Sequence, residues 1–269
     1  MTKVALLAGG LGTRLSEETD LKPKPMVTVG DRPILWHIMK YFSCFGLEDF
    51  FVATGYKGEV IKTYFSNYRM IDGSIAVDLS TGHISDYTVP TEHWKVHLIA
   101  TGPNTMTGGR IFRMKNWLAD SGPFIVTYGD GVANVNINAL LKFHKSHGKL
   151  ATMTAVRPPS RFGEIEFDGD QVISFSEKPQ TGEGWINGGF IVFETGIFDY
   201  LSNDSDSLEK NALENVARDG QLMAFRHDGF WQCMDTLRDK IYLDELWKSG
   251  EAPWKIWDDA AILRIRRAA

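Results

Sequence analysis

Near its amino terminus the chain reads Leu7-Ala8-Gly9-Gly10-Leu11-Gly12-Thr13-Arg14-Leu15, and nine residues past Leu15 comes Lys24, set in Lys22-Pro23-Lys24-Pro25-Met26. Glycines at 9, 10 and 12 let backbone N–H groups approach an anion and permit the positive φ of an amide nest. Arg14 adds a charge-assisted fork. Lys24, between two prolines that fix φ and remove competing donors, presents its charge on a stiff segment. This is chemistry for holding phosphates. A tight strand-to-helix turn would account for the glycines alone, but not for the basic pair and its rigid mounting. Two familiar phosphate loops are excluded. A dinucleotide fingerprint needs glycine or alanine where Leu15 stands and an acid where Ala53-Thr54-Gly55 ends the second strand, and the Walker sequence Gly-Lys-Ser/Thr is absent.

Other segments carry polar groups suited to a phosphate or sugar ligand. Asp130 follows an apolar run in Tyr128-Gly129-Asp130-Gly131, and Asp235 stands at the start of the last helical pattern. Taken singly they read equally as an Asp-Gly turn and a helix N-cap. Thr105-Met106-Thr107-Gly108-Gly109-Arg110 opens a helix, so backbone groups face whatever lies at its N-terminus. Glu177-Lys178-Pro179 taken singly reads as a surface Glu-Lys pair before a turn, and Asn187-Gly188-Gly189 offers an amide beside two glycines. Trp185 and Trp231 are either pocket walls or core aromatics. No Ser-His or paired-Glu constellation occurs, and the seven histidines have no ligand spacing.

The elements that must position these residues alternate. Val4 to Leu7 reads as a first strand, Pro33 opens a helix with Ile34, Leu35, Ile38, Met39 and Phe42 on one face, and Gly46 stops it. Phe50 to Ala53 reads as a strand, Val60 to Tyr68 as a helix, and Phe124 to Thr127 as a central strand. A helical stripe of Ile137, Leu140, Leu141 and His144 follows, then strands at Ala151 to Val156 and Gly189 to Phe193. Gly163 to Phe175 reads as a hairpin about Asp168-Gly169-Asp170, and Leu237 to Trp247 as an amphipathic helix. The expected class is α/β, a Rossmann-like, doubly wound, mixed but mostly parallel sheet flanked by helices. Residues 70 to 100 are expected to form a small β-rich insertion suited to oligomer contacts. One domain spans 1–257, with a solvated tail over 258–269.

Composition narrows the partners. The 269 residues are 43% hydrophobic, enough for a large core, and carry 29 basic against 34 acidic side chains. A net charge of -5 leaves no whole-chain footprint for nucleic acid. Cys44 and Cys233 lie in no paired spacing, so neither a disulfide framework nor structural zinc is expected, and a reducing compartment fits. With no long apolar run, a soluble cytoplasmic protein without membrane contact is expected.

The glycine loop with its Lys-Pro-Lys-Pro follow-up resembles the nucleotidyltransferases that make nucleotide sugars from sugar 1-phosphates, and the likeness extends over nearly the whole chain. Within that superfamily the motifs Lys24-Pro25-Met26, Pro33 to Lys40, Thr107-Gly108-Gly109-Arg110, Tyr128-Gly129-Asp130-Gly131, Asn187-Gly188-Gly189-Phe190 and Trp231 to Thr236 resemble the glucose-1-phosphate cytidylyltransferases. The resemblance implies a Mg²⁺-dependent condensation of CTP with α-D-glucose 1-phosphate to CDP-glucose and pyrophosphate, feeding dideoxysugars of bacterial surface polysaccharides, in a homo-oligomer, commonly a hexamer. It implies nucleotide contacts at Leu7, Ala8, Gly9, Gly10, Leu11, Gly12, Thr13, Arg14, Lys24, Thr105, Arg110 and Gly129, with cytosine read by Thr105, Arg110 and backbone near Gly10. Arg14, Lys24 and Asp130 carry the catalysis, Asp130 and Asp235 share the Mg²⁺, and Glu177, Lys178, Asn187 and Gly188 hold the sugar phosphate. Transfer of UMP or dTMP, or a nucleotide-sugar sensor that has lost turnover, are the competing readings. The intact Arg14, Lys24, Asp130 and Asp235 weigh against the sensor.

Overall fold

Every residue of the first strand, Val4–Ala8, is buried, as a strand covered on both faces requires. Its side chains alternate between two cores. Val4, Leu6 and Ala8 join Ile34, Leu35, Ile38, Met39 and Phe42 on one face of the sheet, while Ala5 and Leu7 join Ile111, Met114 and Leu118 on the other. The computed structural model describes residues 2–87, 92–120, 122–158, 164–168, 171–176 and 184–258.

Four strands run parallel in the order Lys95–Ala100, Asp49–Thr54, Val4–Ala8 and Phe124–Tyr128. Their carboxyl ends open onto the same edge, where open α/β sheets place ligands. Ile191–Phe193 then pairs antiparallel with Phe124–Tyr128 and with Ala151–Val156, and Leu222–His227 closes the far edge parallel to Ala151–Val156. The sheet is therefore mixed and mostly parallel, as expected, with its antiparallel pairs gathered about Ile191–Phe193 and Ile186–Asn187. Short Ile186–Asn187 also pairs antiparallel with the end of Ala151–Val156, which brings the segment 186–190 to the ligand edge.

The helix opened by Pro33 runs over Ile34–Ser43 and Gly46 follows at φ 74°. Residues 70 to 100 are less of an insertion than expected. The hairpin of Ile75–Val77 and Ile84–Asp86 is present, but Trp94 packs against the core and Lys95–Ala100 is the edge strand of the main sheet. The edge position explains the misreading: half-exposed, with Lys95 and His97 among its residues, this strand lacks the apolar density of its neighbours. The expected hairpin forms from Glu164–Asp168 and Gln171–Ser176, while Gly163, Gly169 and Asp170 lie outside the described residues. Leu237–Ser249 is the last helix. The core continues to Trp254, fully buried and stacked on Phe230, and to Trp257 against Trp36. Of the expected tail, all but Asp258 lies outside the described residues.

His37, in the first core helix, is fully buried among tryptophans. Its Nε2 lies 2.8 Å from the Val29 carbonyl oxygen, and Trp254 Nε1 donates to its Nδ1 at 3.4 Å. Burial, only partly opposed by the Val29 hydrogen bond, lowers its pKa to about 4. The folded state thus binds a proton less readily than the unfolded chain, whose histidine titrates near 6.5. The stabilisation is complete above pH 6.5 and drains away as pH falls toward 4, amounting to about 3 kcal/mol. His37→Gln, which can still donate to Val29 but does not titrate, should flatten unfolding free energy between pH 6.5 and 4. An unchanged slope would assign the acid sensitivity elsewhere.

Candidate active site

Lys24, Asp130 and Asp235 are distant in sequence and meet in space. Lys24 Nζ donates to Asp130 Oδ2 at 2.6 Å and to Asp235 Oδ1 at 2.5 Å. The lysine side chain is only 9% exposed, against 28% and 13% for the two carboxylates. Burial alone would lower the lysine pKa, but Asp130 and then Asp235 outweigh it, and the ammonium is held above its ordinary value.

Each partner has its own mounting. Pro23, extended at φ -69°, precedes a single tight turn over Lys24–Met26, all three residues of which are buried. Asp130 leaves the carboxyl end of Phe124–Tyr128 beside Gly129, where a Cβ would lie 3.0 Å from the Leu7 carbonyl and 3.1 Å from Pro25. Asp235 is brought alongside by a two-stranded ladder, Gly131–Ala133 against Trp231–Cys233, and Met234 N donates to Asp130 O at 2.8 Å. Asp235 is not the helix cap. Thr236 takes that position in a reciprocal box with Asp239, so the Asp235 carboxylate is turned to Lys24 instead.

The glycine loop crosses above this cluster. Only Gly12 of its three glycines has positive φ, 65°, with its virtual Cβ 3.1 Å from Lys24 Cβ, so loop and lysine are in contact. Gly9 is required for another reason, since a side chain there would strike the Arg110 guanidinium. Gly10, Leu11 and Thr13 are exposed. Leu7 and Ala8 bury their side chains, leaving the loop end of the strand to offer main-chain groups. Arg14 lies in the turn Thr13–Leu15.

Arg110, 4% exposed, supports the loop from beneath. It donates to Gly9 O at 2.9 Å, Thr101 Oγ1 at 2.6 Å and Gly102 O at 2.8 Å. Burial depresses its pKa and no carboxylate pairs with it among the described residues, so a buried positive charge stands directly behind the glycine loop. Thr105 is buried in the same corner. Gly108 and Gly109 sit inside the helix Thr107–Arg113 rather than in a turn, and admit the backbone of residues 204 and 206, whose carbonyl oxygens would be 2.6–2.7 Å from any Cβ.

Asn187 and Gly188 stand on the other side of Asp130. Asn187 Oδ1 accepts from Gly189 N at 2.9 Å and its Nδ2 donates to the Tyr128 hydroxyl at 3.2 Å. Gly188 has no room for a side chain, with Val156 at 2.5 Å from a virtual Cβ, and its carbonyl accepts from Trp231 Nε1 at 2.8 Å. Trp231 thereby ties the Asp235 ladder to the Asn187 segment. The guanidinium groups of Arg157 and Arg226 lie 4.9 and 5.8 Å from the Trp185 ring. Glu177 and Lys178 lie outside the described residues. Tyr128, Thr107 and Glu209 complete the cluster, and sequence reasoning passed over all three as bearers of a role. Tyr128 had a signal, standing two residues before Asp130, whereas Glu209 had none.

No thiolate nucleophile is built among the described residues of the site. Cys233 is pushed up to about 12, by burial and then by Asp235 and Asp130, and stays a thiol. Two carboxylates converge on one cationic nitrogen, and the described residues contain no cluster of three or more His, Cys, Asp or Glu side chains that could hold a metal. That donor set fits Mg²⁺, which takes one or two carboxylates and keeps waters and phosphate oxygens.

A family profile for nucleotidyl transferases matches residues 3–248. The chain belongs to that family. It is 50% identical over 256 residues to a glucose-1-phosphate cytidylyltransferase of Salmonella typhi, covering 95% of this chain and 100% of that one. It is 41% identical, with the same coverage, to a probable glucose-1-phosphate cytidylyltransferase of Bacillus subtilis. Among solved structures, HddC from Yersinia pseudotuberculosis aligns with a TM-score of 0.67 and 25% identity over 92% of this chain and all of that one. A UDP-glucose pyrophosphorylase complexed with UDP-glucose shares the fold, with a TM-score of 0.65 at 17% identity over 93% of this chain and 99% of that one.

Removing the lysine leaves two carboxylates facing one another. Lys24→Met should lower the unfolding temperature of the ligand-free protein by several degrees, for a loss of about 1–3 kcal/mol. Added Mg²⁺ should raise that temperature more in the variant than in the parent. Equal Mg²⁺ responses, followed by scanning calorimetry, would separate the lysine from a metal site at Asp130 and Asp235.

Proposed function

We propose that this nucleotidyltransferase condenses CTP with α-D-glucose 1-phosphate, releasing CDP-glucose and pyrophosphate. The observation that carries the reading is Lys24 held between Asp130 and Asp235 beneath a glycine loop, in a chain half identical along its length to curated cytidylyltransferases. An oxygen of the sugar phosphate attacks the α-phosphorus, the bond from that phosphorus to the bridging oxygen breaks, and its electron pair leaves on pyrophosphate. A phosphate monoester has a second pKa near ~6, so the nucleophile is already a dianion at neutral pH and needs no base. What the site must overcome is the mutual repulsion of two polyanions.

The residues divide that work. The loop 9–13 offers backbone N–H groups to the triphosphate, with Arg14 beside it and the buried Arg110 charge behind. The Lys24 ammonium has three N–H donors, two of them on Asp130 and Asp235, which leaves one for the α-phosphate. Asp130 and Asp235 would hold Mg²⁺, which screens charge on the α-phosphate and the departing pyrophosphate when bound. Thr105, Arg110 and backbone near Gly10 frame the base, and Gly129 lets the nucleotide approach Asp130. Asn187 and Gly188, with Glu177 and Lys178, take the sugar phosphate. CTP as substrate and two free thiols, Cys44 and Cys233, fit the cytoplasm, and no helix among the described residues is long and apolar enough to cross a membrane. The exposed Ile75, Val77, Leu79 and Ile84 of the hairpin 75–86 support contact between copies of the chain there.

Cytosine presents a donor amino group where uracil and thymine present an acceptor oxygen, so a site built for one leaves a buried group unpaired with the other. Pyrophosphate release from glucose 1-phosphate with Mg²⁺ and each of CTP, UTP, dTTP, GTP and ATP should favour CTP by about tenfold to a hundredfold in kcat/KM. Thr105→Val should narrow the margin over UTP without abolishing transfer. Equal use of UTP or dTTP would refute the cytidylyl assignment. In the same assay Lys24→Ala should lower kcat far more than it raises either KM, because its charge acts as the transition state forms. A rise in KM alone would make it a ground-state clamp.

A further inference from the structure

The site contains a third carboxylate that the reaction above does not use. Glu209 lies in the π-helical stretch Leu208–Leu213, a geometry rare in proteins and recurrent at functional sites. Its oxygens accept three hydroxyl hydrogen bonds: from Tyr128 at 2.6 Å, Thr107 at 2.7 Å and Ser207 at 2.7 Å. No cation pairs with it among the described residues. Burial pulls its pKa upward, but the Tyr128, Ser207 and Thr107 hydroxyls outweigh this and keep the carboxylate charged.

A charged acceptor dictates the direction of the next bonds. The Tyr128 hydroxyl must donate to Glu209, so only a lone pair of its oxygen is left to face Asn187. The Asn187 amide answers with Nδ2, at 3.2 Å, and its Oδ1 is committed from the other end by Gly189 N at 2.9 Å. The amide is thereby fixed against a flip, with one N–H and one lone pair remaining for a ligand. The backbone beneath it is strained and buried. Gly189 and Phe190 both take positive φ, 78° and 46°, and Phe190 is locked by its contact with Phe42.

We propose that Glu209 and Tyr128 are positioning residues for the hexose, fixing through the Asn187 amide which sugar hydroxyl meets a donor and which an acceptor. This rests on the assignment of Asn187 to glucose 1-phosphate. Because Thr107, which shares Glu209, begins the helix carrying Arg110, the same carboxylate also joins the sugar side of the cleft to the nucleotide side.

The test is steady-state kinetics with glucose 1-phosphate and CTP varied in turn, on Glu209→Gln, Tyr128→Phe, their double variant and Asn187→Ala, with thermal unfolding of each. A glutamine can donate to the tyrosine and reverse the chain of bonds. Glu209→Gln and Tyr128→Phe should each raise KM for glucose 1-phosphate about tenfold, as loss of one oriented hydrogen bond to a ligand does, while KM for CTP stays within about twofold. The double variant should be no worse than the worse single one, since both act through one amide. Glu209→Asp, which keeps the charge, should recover part of the loss. With the deoxy analogue of glucose 1-phosphate that lacks the hydroxyl held by Asn187, parent and Tyr128→Phe should show the same KM. Should Glu209→Gln fail to fold, Tyr128→Phe and the analogue series decide alone. A lowered unfolding temperature with KM unchanged, or both KM values rising together, would overturn the proposal. An unaltered KM for glucose 1-phosphate in Asn187→Ala would overturn the assignment beneath it. A raised KM in Asn187→Ala with none in the other two would overturn the relay alone.

Discussion

Two carboxylates side by side in a half-buried cleft stay ionised together only with a cation between them, and the architecture around Lys24 answers that constraint. The ammonium is bonded to Asp130 at 2.6 Å and Asp235 at 2.5 Å, and each of the three groups arrives on a different piece of the fold. Paired prolines and a buried turn bring the lysine, the end of a central strand brings the first acid, and the ladder of Gly131–Ala133 with Trp231–Cys233 brings the second. The Thr236–Asp239 box releases Asp235 from the duty its position at the helix start would give it. Core, ladder and cap thus converge on holding like charges together.

The mixed sheet brings chain to Asp130 from two directions. A parallel half delivers loops after Val4–Ala8, Asp49–Thr54, Lys95–Ala100 and Phe124–Tyr128 to one edge, and Arg110 binds two of them together, the first through Gly9 and the third through Thr101 and Gly102. A further loop from a parallel strand would come with a helix crossover behind it. The antiparallel Ile191–Phe193 instead lets the chain approach from the opposite direction, so that Asn187 reaches the Tyr128 hydroxyl from the far side of Asp130. That Asp130 is met by chain from both directions is therefore a matter of strand direction.

Much of this was legible in the sequence, for physical reasons that also mark where legibility ends. The buried strand at Val4 and the helix after Pro33 have dense apolar patterns with clear stops, and both form where expected. Lys95–Ala100 was absorbed into an insertion because an edge strand is half exposed and its pattern diluted. The loop, Lys24, Asp130 and Asp235 stood out through their local settings, but which side chain touches which is a property of long-range packing. Arg110 reads as a base contact in sequence, and its hold on the Gly9 carbonyl is visible only in three dimensions. Glu209 is one acid among many along the chain, and its meaning comes from Tyr128, 81 residues away.

The Lys24 cluster is not a device for stability. Withdrawing an ammonium and two carboxylates from water costs several kcal/mol per ion, and the attraction among them commonly does little more than offset it. Apolar side chains of similar size would hold these segments together as well, given the cores already built on both faces of the sheet. What apolar packing cannot supply is a set of charges placed in advance where a polyanion must be met, with no solvent left to reorganise as charge moves. The same reasoning covers Arg110, buried with carbonyl and hydroxyl partners and no acid of its own. A fold that keeps a buried cation such as Arg110, with no acid paired to it among the described residues, behind a glycine loop gives up stability to hold a positive charge where an anion can meet it.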